Sequence, residues 1–129
     1  MIVLSRVAMI VEAFFGLGFL LVPALVLAPL GVSLDETSAL LARLFGAAIL
    51  AFPFLLWLAS LADDDRFRHG VALTMLAYYL ISGALLLVAV LVGQLNARGW
   101  VVVALHAVFV GWFGWFAVRG VPRSPAPAA

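Results

Sequence analysis

The chain has 129 residues, of which 67% are hydrophobic and 10% charged, with a formal net charge of +1. A soluble domain covers itself with roughly 25% charged residues, so this composition, at a mean hydropathy of +1.28, excludes a water-soluble globule and calls for lipid as solvent. The small net charge provides no field for nucleic acid, and the absence of cysteine excludes disulfides, thiolate nucleophiles, iron–sulfur clusters and Cys-based zinc sites.

Four apolar runs follow one another. The first spans about residues 2–28 and is interrupted by Glu12. It is too long for a signal-peptide core, and Pro29 follows Ala28, the only small-residue cleavage candidate, so it is read as a retained helix. Pro29, Gly31 and Ser33 mark the next loop, made acidic by Asp35 and Glu36. The second run covers about 38–62, with Thr37 or Ser38 as the expected N-cap. Pro53 lies mid-span; it cannot bond to the carbonyl of Ile49 and should kink the helix. Pro23 should do the same late in the first run.

The loop from Asp63 to His69 is charged, and its three adjacent aspartates read as a solvated turn. The third run covers about 70–92, a polar turn runs from Gln94 to Gly99, and the fourth run covers about 100–118. The remainder, 120–129, is rich in Pro and Ala and reads as a disordered tail. Each run is long enough for a hydrocarbon core that takes about 20 helical residues, and none shows the alternation of a barrel strand.

The expected fold is therefore all-α: an integral membrane up-down four-helix bundle over residues 1–119. All seven basic residues are arginine. Arg6, Arg66, Arg68, Arg119 and Arg123 fall on one side and Arg98 on the other, which places both termini in the cytoplasm. With the abundance of Ala, Leu and Val, the all-arginine usage suggests a GC-rich bacterial genome, hence the bacterial inner membrane. Trp57, Trp100, Trp112 and Trp115 decorate span ends as an aromatic belt does. Ala42 with Gly46, and Ala107 with Gly111, are small-xxx-small pairs suited to close helix contact.

Polar groups inside the spans carry the chemical information, because a charge at the bilayer centre costs at least roughly 2.5–3.5 kcal/mol. Glu12 is either a proton, cation or ligand-orienting carboxyl, or a structural one. Arg43 either reaches inward or snorkels to the outer headgroups. Side chains lean toward their helix N-terminus, which in antiparallel helices turns Glu12 inward and Arg43 outward and disfavours a direct pair. His106 lies at intermediate depth and could bridge them. As a haem ligand it lacks a partner, since the other histidine, His69, is in a loop. Thr74, Tyr78 and Ser82 share a helix face, next to Tyr79, and either line a cavity or bond a neighbouring helix. No nucleophile elbow, phosphate loop, nucleotide motif or metal-ligand spacing is visible, which argues against an enzyme and leaves any cofactor undefined.

The segment "LLARLFGAAILAFPFLLWLA", with an Arg, a Gly-Ala pair and an apolar run ending near Trp, resembles small bacterial four-helix membrane proteins of the DoxX-like and DUF4345-like kind. The preceding glycine-rich helix, Pro and acidic loop fit the same pattern over about residues 10–60, and Arg43 and Gly46 are the matching positions. The resemblance implies a four-helix bundle; some relatives are linked to quinone-dependent sulfur oxidation or act within larger membrane assemblies.

Two functions follow as expectations. The first is a non-enzymatic accessory or assembly subunit that contacts other membrane subunits, or itself, through helix packing. The alternative is a carrier or binder of a small lipophilic or protonatable ligand, a quinone being one case, in a cavity lined by Glu12, Arg43 and His106 with Tyr78 and Ser82.

Overall fold

The computed structural model describes residues 2–119, and the expected tail lies outside them. The described chain is helical: α1 Ile2–Leu21, α2 Pro23–Leu27, a 3-10 turn Ala28–Leu30, α3 Glu36–Ile49, α4 Ala51–Leu61, α5 Asp65–Leu91 and α6 Gly99–Arg119. Four stretches are long and apolar enough to cross a membrane: Leu4–Leu21, Glu36–Leu61, Asp65–Leu91 and Gly99–Arg119.

Pro23 and Pro53 both interrupt helices. A residue before proline is pushed out of the α region, and Val22 takes φ −137°, ψ 55°. The first expected span, 2–28, is thus two pieces. After the break α2 folds back, bringing Val26 so close to α1 that a Cβ on Gly18 would lie 2.8 Å from it. In the second span the helix is interrupted at Leu50, three residues before Pro53, whose missing N–H leaves the Ile49 carbonyl without its helical donor.

Side chains set the ends elsewhere. The N-cap of α3 is Asp35, not Thr37 or Ser38: its carboxylate accepts from the Ser38 amide at 2.8 Å, and the Ser38 hydroxyl accepts from the Asp35 amide at 2.9 Å. Asp64 caps α5 by accepting from the Arg66 amide at 2.8 Å, and Arg68 pairs with Asp65 at 2.6 Å, so α5 starts five residues before the expected 70. At its other end Gly93, φ 76°, forms a Schellman close, with Gln94 N–H to Ala89 C=O at 2.9 Å and Gly93 N–H to Val90 C=O at 3.2 Å.

The bundle is two helix hairpins. α1 packs along α3 and α4, and α5 packs along α6; the hairpins meet chiefly through α4 and α5. Gly46 makes the first hairpin tight. A Cβ there would lie 2.5 Å from the Leu20 amide nitrogen and 2.7 Å from the Gly16 carbonyl, so the α1 and α3 backbones touch. Gly111 has no such role: it is exposed and a Cβ would meet nothing within 4 Å.

Along its length the bundle has a solid half and a hollow half. Leu4 and Ala8 of α1, Leu56 and Ala59 of α4, Val71 and Met75 of α5, and Phe113 of α6 form one apolar core. This puts the start of α1, the α4–α5 junction and the end of α6 together, as antiparallel neighbours require. Arg6, Arg66, Arg68 and Arg119 gather at that end, with Arg119 over the Trp115 ring at 3.5 Å; Arg98 is at the opposite one.

Candidate functional site

Glu12 sits where the two halves meet. It is 4% exposed, and its Oε1 accepts a hydrogen bond from the Tyr79 hydroxyl. Packing holds Tyr79 in place. Its ring stacks on Phe109 at 4.6 Å and 11° and on Phe113 at 5.7 Å, and His106 stands edge-on at 5.5 Å. Three rings from α6 thus aim one hydroxyl from α5 at one carboxyl from α1. Tyr78 packs beside them, 4.5 Å from Phe52 of α4.

His106 is oriented by its own helix. Its Nδ1 lies 2.9 Å from the Val102 carbonyl oxygen. A carbonyl only accepts, so Nδ1 carries the hydrogen and Nε2 of the neutral ring is an acceptor. Gly83 makes room for the ring: a Cβ there would stand 3.1 Å from His106 Cβ.

Above the Glu12–Tyr79 bond a partly open cavity of about 430 Å³ lies between the hairpins, within the range of ligand pockets. Its walls come from the later part of α1, from α3, from the later part of α5 and from the early part of α6, and they are apolar apart from Glu12, Tyr78, Tyr79, Ser82 and His106. The far end is covered by Val26, Leu27, Pro29 and Leu30, with Leu95 beside them. Asn96 fastens this cover. Its Nδ2 donates to the Pro29 carbonyl at 2.9 Å and its backbone N–H to the Leu30 carbonyl at 3.0 Å, while its Oδ1 accepts from the Arg98 amide.

Among the described residues every sealed side-chain nitrogen or oxygen has a hydrogen-bond partner. Glu12 Oε2 and His106 Nε2 make no hydrogen bond there, so these are atoms that reach open space. Both residues line the cavity.

Of the expected cluster, the structure brings together Glu12, His106, Tyr78 and Ser82, and leaves Arg43 out. Arg43 is exposed on α3 and pairs with nothing among the described residues. Neither Arg43 nor His106 bonds Glu12; Tyr79 does. The Ser82 hydroxyl donates to the Tyr78 carbonyl at 2.6 Å and Thr74 to the Gly70 carbonyl at 2.9 Å, so both serve their own helix. Tyr79, Gly83 and Asn96 carry structural roles that local sequence pattern does not mark. Among the described residues no three His, Cys, Asp or Glu side chains gather to hold a metal.

Residues 6–122 match the family model described as a domain of unknown function, DUF8292, and the chain belongs to that family. No curated protein and no solved structure matches it.

Proposed function

We propose that this is a multi-pass membrane protein, with both termini on the cytoplasmic side, that binds a small lipophilic molecule between its two helix hairpins. The observation that carries this reading is the cavity with the Glu12–Tyr79 bond as its floor. The bundle that surrounds it is made for lipid: Ile10, Phe14, Leu25 and Val101 are each at least 70% exposed, a surface that water would not tolerate. The arginines collected at the solid end support the orientation. The Arg43–Gly46 pattern supports kinship with the DoxX-like and DUF4345-like proteins.

The ligand reading ranks above the accessory-subunit reading because helix packing against a partner needs neither a hollow half nor a buried carboxyl. A carboxyl that costs free energy to bury is explained by something that enters beside it.

Native mass spectrometry of the protein purified in mild detergent tests the proposal. The expected result is a bound small molecule at one copy per cavity, lost in Leu86→Trp, which fills the cavity from α5. Thermal melts establish that the variant is folded. A wild-type protein that carries no small molecule and acquires none from an added lipid extract would overturn the reading.

A further inference from the structure

Resting on the ligand-binding reading, we infer that the ligand is a lipophilic organic cation, an ammonium on an apolar body, with Glu12 as its counter-ion and aromatic rings as its walls.

Three observations converge. With Glu12 ionised, the polar atoms left open are acceptors apart from the Tyr78 hydroxyl. Tyr79 has donated its hydroxyl to Glu12, Ser82 has donated to Tyr78, and His106 Nδ1–H points at Val102. What remains is Glu12 Oε2, His106 Nε2 and the Tyr78 hydroxyl; His106 Nε2 accepts, and Glu12 Oε2 accepts once the carboxyl is ionised beside a cation. A cation fits them; a carboxylate head group finds no counter-charge.

The charge balance is one-sided. No lysine or arginine lines the cavity, and Arg43, exposed on α3, is outside it. An anion would therefore meet a carboxyl and no counter-charge. A cation would supply what an ionised Glu12 lacks, since a charge in an apolar site is tolerated only when paired.

The walls suit a soft cation. Phe15, Phe19, Phe45, Tyr78 and Phe109 all line the space. Ring faces attract ammonium groups, most strongly where water is excluded, and aromatic cages are the usual receptors for alkylated ammonium. The remaining lining is aliphatic and takes a hydrocarbon body. Phe19 and Phe45, edge to face at 5.4 Å, bring the two helices of the first hairpin into one wall.

Three probes built on ten-carbon chains with different heads test the assignment: decyltrimethylammonium, 1-decanol and decanoate. Each is dialysed to equilibrium against the full chain in nanodiscs, with empty nanodiscs as the blank. The expected order is ammonium tighter than decanol by about tenfold, with decanoate weakest. Glu12→Gln should bring the ammonium down to the level at which the same variant binds decanol, and a thermal melt establishes that the variant is folded. Glu12→Asp should keep the preference for ammonium. Decanol bound as tightly as ammonium by the wild type would overturn the cation assignment and leave the lipophilic site standing. Failure of all three to exceed the blank would overturn the site itself.

Discussion

The Tyr79 hydroxyl donates its hydrogen bond to Glu12 Oε1, and this single contact ties the first hairpin to the second at the floor of the cavity. Tyr79→Phe keeps the ring stacked on Phe109 and removes only the donor. The carboxyl then loses its partner in an apolar site, and a destabilisation of about 1–2 kcal/mol is expected. Chemical denaturation in mixed micelles measures it. A change near zero would mean that Glu12 is satisfied elsewhere.

Gly46 and Gly111 look alike in sequence and should respond oppositely to alanine. At Gly46 the added methyl meets the α1 backbone, which cannot step aside as a flexible side chain can. The hairpin must open, at about 1–3 kcal/mol. At Gly111 the methyl meets open space, and the helix gains up to about 1 kcal/mol of propensity. Parallel melts of Gly46→Ala and Gly111→Ala give the comparison.

Asn96 fastens the cover over the far end of the cavity through Pro29. Asn96→Ala keeps the backbone bond to Leu30 and loses the side-chain one. A bound ligand should then leave several-fold faster at little change in overall stability, since a single hydrogen bond contributes about 1 kcal/mol. Dissociation kinetics from nanodiscs, paired with a melt, separate the two effects.

Asp35 gives the one pH effect expected outside the spans. Its hydrogen bonds from the Ser38 hydroxyl and the Ser38 amide hold its carboxyl below the usual carboxylate value. A depressed folded value means that the cap's contribution is present above the ordinary aspartate range and is lost as pH falls through the folded value. Amide exchange in the first turn of α3, corrected for intrinsic rates, should accelerate over that acid window. In Asp35→Ala it should be fast at all pH values.

Much of the frame is legible in the sequence because long apolar runs leave a coarse signature. Run length and hydropathy give the four long apolar stretches, and Pro23 and Pro53 mark the breaks, since a missing N–H acts wherever the residue sits. The site is legible only in part. Glu12 and His106 stand out as polar residues in apolar runs. The choice between Tyr78 and Tyr79 does not, because adjacent residues point about 100° apart and only the pairing of helices decides which one faces α1. Spacing by four also misleads. It places Thr74, Tyr78 and Ser82 on one face, yet it is the spacing at which Thr74 and Ser82 reach the carbonyls of their own helix. In a bundle whose outer surface is as apolar as its core, nothing local separates an inward Gly46 from an outward Gly111.

An experimental map of the protein in nanodiscs with decyltrimethylammonium tests the central claim most directly. The account predicts density for the probe between the two hairpins, with its nitrogen within about 5 Å of Glu12 Oε2 and its tail running toward Leu30 and Leu95. A cavity that stays empty at saturating probe, or a head group seated away from Glu12, would contradict it.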